Sequence, residues 1–449
     1  MSVKERAARK GRSTTEKEPK KNVLSRDSWK TVALFLSPAA IALVVFLIYP
    51  IGHTFLRSLY GPIGDEFVGF ANYHRVVTEP RNLIALRNNM IWVLIVPAVV
   101  TSVGLIFAVL SEKVSWKMAF RVLVFMPMVI SGLAAGVTFR FVYSTDPDVG
   151  AANAALRAVH EVFQPPGDYA GARPSMPEIV EEDGGRLVSS ESYGPGEIAA
   201  FGFVGIPPRQ IPDSAENAPE QVPADDEAIT GVVWLDFTPG GEGTTGAVDP
   251  GEPGLPEMHL TLERNGEVVD QVTTDRHGVF RFPDLDEGEY RIALDERNFR
   301  EPYPGLTWLG PNLILVSLIF AYIWINTGFA LIIIAAGLSN INRDYLDSAR
   351  VEGANEWKVL TKVTIPLLRQ SLMVVMVTTT ISVLKIFDLV IVIAPSAVQS
   401  RATVLALEMW RASFGGARDF GLGSALAIVL FLLIIPAMLF NIRRFRLEE

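Results

Sequence analysis

Arg343–Pro366 reads RDYLDSARVEGANEWKVLTKVTIP and lies between two long apolar segments. It is too polar to lie in a bilayer. Helical spacing puts Leu346, Ala349 and Arg350 on one face of a first short helix, and Gly353 lets the chain turn where a side chain would cost strain. Asn355 can cap a second helix carrying Trp357, Leu360 and Val363 on one side. The expected product is a compact helix-turn-helix knob on a membrane surface. The plainer alternative is a connecting loop in which Gly353 only ends a helix.

The 449 residues are 49% hydrophobic with long uncharged runs, so the chain is not one soluble domain. Its net charge of -9 hides two opposite parts. Residues 144–304 hold 10 Arg, no Lys and 32 Asp plus Glu, a net of -22, and the remainder carries +13. An acidic block is thus set into a basic membrane protein. With no cysteine, neither a disulfide framework nor a thiolate metal site is available.

Residues 1–30 are a basic tail of ten Lys or Arg among Ser, Thr and Pro, read as disordered and cytoplasmic. Six apolar segments follow that are long enough to cross about 30 Å of hydrocarbon as helices. They run from Thr31 to Ile51, Asn88 to Leu110, Val122 to Phe141, Pro311 to Leu338, Leu367 to Ile393 and Gly421 to Phe440. Asn88, Asn89 and Trp92 read as the outer start of the second. Beginning inside, six crossings place both termini, the 343–366 loop and the basic loop of Lys113, Lys117 and Arg121 in the cytoplasm, as the positive-inside rule asks. The acidic block then lies outside, between spans three and four.

The loop is also the point of resemblance to a family. Asp347, Ala349, Glu352, Gly353, Ala354, Leu360, Val363 and Pro366 stand at the spacing of the loop that permeases of ATP-binding-cassette importers present to their ATPases. Ser348 stands where the family usually has Ala, and Leu360 where an aromatic is common. LKIFDLV, MWRASF and FGLGSALAIVLFLLIIPAMLFNIRRFR resemble the C-terminal half of the maltose and alpha-glucoside permeases. The resemblance implies the type I permease fold, an all-α polytopic protein with six transmembrane helices at 31–143 and 311–449. It implies a second permease subunit, two cytoplasmic ATP-binding subunits that carry ATP-Mg, and an extracellular sugar-binding lipoprotein. In this comparison Asp347 and Glu352 meet basic groups of the ATPase, Gly353 and Ala354 enter its cleft, and Trp357 and Leu360 pack there. No cofactor is expected on this chain and no nucleic acid as partner; the location is the bacterial plasma membrane.

Within the acidic block, residues 144–228 are rich in Pro, Gly, Asp and Glu and read as an extended linker with one short strand near Ile198 to Val204. From 229 to 295 the period changes to two, with GVVWLDF, MHLTLERNGEVVDQVTTD, GVFRFPDL and GEYRIAL as strands and Asn265-Gly266 as a hairpin turn. This stretch resembles the small β-sandwich repeats of bacterial surface proteins, so an all-β sandwich is expected, joined through 296–310 to the fourth span. Such domains can bind calcium, and Asp236, Asp249 and Glu252 stand at the corresponding ends. The intervening FTPGGEGTTGAV offers only Glu242 and hydroxyls, a poor oxygen cage.

No catalytic constellation is present, so energy must come from another subunit. Polar residues in apolar spans mark the candidate solute path. These are Trp324 and Asn326 in the fourth span, and Thr378, Ser382, Lys385 and Asp388 in the fifth, where Lys385 and Asp388 share a helical face. A neutralising Lys385–Asp388 pair that fixes packing is the equal alternative. Two other functions remain open: a multi-span anchor displaying the β-domain for adhesion or cell-wall contact, and an ion-driven secondary transporter.

Overall fold

The computed structural model describes residues 26–445 except 177–179, 184 and 242. The basic tail up to residue 25, Glu242 and Arg446 therefore lie outside the described residues. The chain divides into two compact units, one of residues 1–125, 326–390 and 402–449, the other of 126–325 and 391–401.

In the first unit α1 (Arg26–Leu43) runs through a π-helical turn, Val44–Ile48, into α2 (Tyr49–Ser58), followed by α3 (Ala71–Thr78). α4 (Pro80–Lys113) starts on a proline, whose fixed φ and missing N–H suit a first helical position. Its start precedes Asn88 by two turns, so Asn88, Asn89 and Trp92 sit inside the helix and are buried, not at its outer end. α5 (Lys117–Val129) and α6 (Gly132–Val142) were expected as one span. They meet at 99°, where Pro127 removes a helical donor and Ser131 caps the new helix through Ala134 N–H. α6 and α7 (Ala151–Phe163) belong to the second unit, and the chain comes back to the first along α8 (Ile314–Ser339). Gly104 lies against Ala330, and Gly337 against Ser371, so close that a Cβ at either position would collide. Small residues of this kind let membrane helices approach.

The 343–366 stretch forms α9 (Arg343–Val351), α10 (Glu356–Lys358), a π-helical turn Val359–Thr364 and α11 (Ile365–Leu367). α12 (Arg369–Leu384) leaves it at 71°. The fifth expected span ends early, because α12 stops at Leu384 and α13 (Asp388–Ile393) begins anew. α14 (Leu405–Phe414) and α15 (Phe420–Phe445) complete the unit, with Leu405, Leu422 and Leu426 packing around Val76, Ala85 and Leu384. Among the described residues, three helices have the length and apolarity of a membrane crossing, Val32–Ser58, Pro80–Lys113 and Ile314–Ser339. Each bent pair raises that number by one, to five, and α15 adds a shorter apolar run, Phe420–Pro436.

The insert is a two-sheet sandwich. One sheet has the order β1 (Arg173–Pro174), β4 (Ile198–Val204), β5 (Ile229–Leu235), β8 (Val279–Phe282). The other runs β2 (Val180–Asp183), β3 (Arg186–Ser189), β9 (Arg291–Leu294), β6 (His259–Arg264), β7 (Glu267–Thr273). Asn265 and Gly266 both have positive φ, 53° and 83°, as a two-residue hairpin between β6 and β7 requires. Phe201, Phe203 and Val233 of the first sheet meet Leu260, Leu262 and Ile292 of the second in one buried core.

The extended linker expected over residues 144–228 is not what forms. That segment contributes α7, four strands and the buried Tyr169, Tyr193, Phe201, Phe203 and Ile206 of the same core. Its Pro-rich second half covers the other face of β5, where Ala218 and Val222 pack on Trp234 and Val232. β5 is buried on both faces, which explains its unbroken apolar run.

Candidate functional site

Residues 343–366 build a closed turn between two helices. Asn342 caps α9, its Oδ1 accepting from Asp344 N–H at 3.0 Å. At the other end Gly353 has φ +87°; its N–H donates to Arg350 O, and Ala354 N–H donates to Ala349 O, both at 3.0 Å. This pair of bonds is the Schellman arrangement, and it places Ala349 and Ala354 at the two positions that touch across such a turn. Asn355 then caps the second helix, accepting from Lys358 N–H at 2.9 Å.

Arg350 ties the two helices together. Its Nη1 lies 2.9 Å from Asp347 and its Nε 2.9 Å from Glu356, one partner on each side of the turn. Glu356 and then Asp347 push the Arg350 guanidinium up, and the guanidinium holds the Glu356 carboxyl below its usual range. Asp347 is therefore engaged within the chain, whereas Glu352 is exposed and makes no ion pair among the described residues. Trp357 is 70% exposed and Val351 89% exposed, and Tyr345 joins them as an uncovered apolar side chain. Leu360 is half-buried and Pro366 exposed. Behind the turn a cleft of about 710 Å³ is lined by Glu112, Lys113 and Lys117 from the end of α4 and start of α5, and by Arg343, Leu346 and Trp357. The basic α4–α5 loop and the knob thus share one surface of the unit.

Residues of the expected solute path fall differently. Thr378, Ser382 and Lys385 are exposed at positions one turn apart on and just past α12, so they do form a polar line. Asp388 leaves that line. Lys385 is the C-cap of α12 and Asp388 the first residue of α13, its Oδ1 accepting from Leu389 N–H at 2.9 Å. The shared helical face expected for Lys385 and Asp388 does not exist because the helix breaks between them, and no ion pair joins them among the described residues. Asn326 is half-buried on α8, and Trp324 packs edge-on against Phe139 at 5.3 Å.

A second polar cluster escaped the sequence reading. Asn88 Nδ2 donates to Thr403 O at 2.8 Å, and Asn89 Oδ1 accepts from Leu405 N–H at 2.8 Å, so two adjacent amides inside α4 hold the extended approach to α14. Buried Glu408 accepts from Arg81 at 2.8 Å and Arg411 at 2.8 Å and also contacts the Thr403 hydroxyl. Arg75 bridges to Asp419 at 2.7 Å nearby. Adjacent asparagines within an apolar run were the available signal.

In the sandwich, Asp236 accepts from Gly246 N–H at 2.7 Å, Asp249 from Thr244 N–H at 2.5 Å, and Glu252 from the Thr238 hydroxyl at 3.0 Å and Asp249 N–H at 3.1 Å. The three carboxylates organise their own loop through backbone donors, and among the described residues no group of three acidic or His side chains converges.

Comparison with known proteins adds to this geometry. Residues 279–445 match the family described as binding-protein-dependent transport system inner membrane component. Residues 227–301 match the SdrD B-like domain. The alpha-glucoside transport system permease protein AglF of Rhizobium meliloti is 27% identical over 410 residues, 91% of this chain and 81% of that protein. The osmoprotective compounds uptake permease protein GgtC of Synechocystis is 26% identical, covering 93% of this chain and 99% of that one. A bacterial ABC transporter that imports the acidic polysaccharide alginate matches in structure with a TM-score of 0.52 at 14% identity, over 93% of this chain and 96% of that one. At that identity the match bears on the fold alone.

Proposed function

We propose that this chain, whose residues 279–445 belong to the inner-membrane components of binding-protein-dependent transport systems, is a permease subunit of an ATP-driven carbohydrate importer. It is a multi-pass membrane protein, and its relatives are permeases for alpha-glucosides and other solutes. A di- or oligosaccharide of the alpha-glucoside type is the solute we favour. The observation that carries the reading is the knob, a closed turn on Gly353 that presents Trp357 and Val351 uncovered beside a cleft. An apolar indole left in water on a short, well-capped motif is what a docking surface needs before its partner arrives.

The finer picture has six crossings, both termini and the knob in the cytoplasm, and the sandwich outside. Two ATPase subunits grip this knob and that of a second permease, so that nucleotide-driven closure moves the helices between outward-open and inward-open states. A binding protein delivers the sugar, and Asn326, Thr378, Ser382 and Lys385 face the path. Asp347 serves the knob through Arg350, which leaves Glu352 as the acidic group presented to the ATPase.

The test is affinity purification of the tagged full chain from detergent-solubilised membranes, with ATP hydrolysis assayed on the eluate. Recovery of a second permease and a nucleotide-binding subunit with turnover is expected. A chain that elutes alone and without hydrolysis would refute the importer reading in favour of an anchor or an ion-driven transporter.

A further inference from the structure

α7 is amphipathic, yet its orientation is the reverse of an ordinary surface helix. Its polar arc, Asn153, Arg157, His160 and Glu161, faces inward or sideways and is half-buried or buried. The opposite arc, Ala151, Ala155, Ala158, Val159, Val162 and Phe163, is exposed, with Val162 at 76% and Phe163 at 80%. No charged residue interrupts that arc. An apolar stripe of this width facing water has an unfavourable free energy at every exposed side chain, so something covers it.

The anchoring of the helix says what. Asn153, fully buried, donates to Ser144 O at 2.8 Å and to Thr145 O at 3.1 Å, the first residues past α6 and Tyr143. It also donates to Leu306 O at 2.9 Å and accepts from Leu306 N–H at 2.8 Å and the Trp308 indole at 3.1 Å. One side chain thus pins α7 both to where the chain leaves an apolar helix and to where it approaches α8. The pinning point carries Tyr143 and Trp308, with rings 5.8 Å apart. Tyr and Trp are enriched where membrane helices meet the headgroups. Phe141 and Leu133 on α6 are exposed as well, so the uncovered apolar surface continues from α6 toward the pinned helix.

We propose that α7 is an interfacial helix whose Ala151–Phe163 apolar face rests on the lipid surface at the end of this segment. In that position it steers the sandwich as it leaves the membrane. The lipid occupant is favoured over a protein partner because the face is uncharged and adjoins membrane-facing helix surface. Helices of this kind sink their apolar side about 5–10 Å into the boundary between headgroups and acyl chains.

The chain has no native cysteine, so single cysteines report without background. Val162→Cys and Phe163→Cys, both at exposed positions, are made in the full chain, labelled with bimane and reconstituted into phosphatidylcholine vesicles with phosphatidylglycerol. Leu94→Cys on exposed α4 surface marks the bilayer interior, and Glu267→Cys at the β6–β7 hairpin marks water. Nitroxide carried near the head of the acyl chain is expected to quench positions 162 and 163 more than iodide does, the reverse of position 267. Nitroxide at the tail is expected to favour position 94. Iodide quenching at 162 and 163 equal to that at 267 would overturn the proposal, and shielding from both quenchers would overturn it in favour of a protein cover. Absence of lipid quenching at position 94 would instead defeat the membrane reading on which the proposal rests.

Discussion

Gly353 is where the proposed docking role of the turn can be tested by backbone chemistry alone. Its φ of +87° is a conformation in which an L-residue costs about 1–2 kcal/mol. A Cβ added there meets nothing within 4 Å, so Gly353→Ala introduces strain without a clash. Every residue of α9 is exposed or half-exposed, and a nine-residue helix is marginal without tertiary support. The closed turn therefore competes with frayed states, and the strain passes largely into docking. The expected loss of ATPase affinity for Gly353→Ala is about 5- to 30-fold, the equilibrium equivalent of 1–2 kcal/mol. Asn visits the left-handed region more readily, so Gly353→Asn should lose less. Gly353→Asp adds a like charge beside Glu352 and should fall below Asn. The assay is titration of purified ATPase subunit onto the solubilised permease, with uptake and hydrolysis measured in proteoliposomes. An alanine variant with wild-type affinity would refute the reasoning, as would an asparagine variant weaker than alanine.

Two further outcomes follow from other parts of the molecule. Glu408→Ala leaves the Arg411 guanidinium without its buried carboxylate and should destabilise by about 3–5 kcal/mol, read as a lower thermal midpoint in detergent, whereas Glu408→Gln should lose less; equal loss in both would contradict the pairing account. In the sandwich, Arg281 and the Glu227 N–H hold the Asp225 carboxyl below its usual range. Burial raises the Asp295 carboxyl, but the hydrogen bonds from Arg297 outweigh it and the net shift is downward. A depressed carboxylate stabilises the fold above its ordinary value of about 3.9, and that contribution is lost as pH falls through the lowered value. The difference in proteolytic protection between the wild-type full chain and Asp225→Asn should be constant above about pH 5, decline as pH falls below the ordinary carboxylate value of about 3.9, and vanish only below the lowered one; a difference that stays undiminished through that decline would oppose the assignment.

The parts legible in the sequence are those whose signals are local. Gly353, Asn355 and the Asn265-Gly266 hairpin are set by backbone geometry within a few residues, and the alternation in β6, β8 and β9 by one buried core. The segment 144–228 was misleading because β1 to β3 are no longer than four residues, and the connections around them send single aromatics such as Tyr169 and Tyr193 into a core built mainly elsewhere. β4 pairs in parallel with β5 across a long polar stretch, a contact no local pattern announces. Pro127 and Ser131 marked the break between α5 and α6, whereas nothing in LKIFDLV marks the end of α12 at Leu384. Within the knob, the caps were readable but the Arg350 link to Glu356 was not, since it exists only once the turn has closed.

Asn153 has a consequence for how such a chain comes to exist. By bonding Ser144 and Thr145 on one side and Leu306 on the other, it brings the departure and return of some 160 residues to neighbouring points. A segment whose two ends meet can be lengthened, exchanged or lost in evolution without altering the separation of the flanking helices. The sandwich is in this sense a pendant on a closed loop, and selection can reshape it while the transport machinery is left as it was.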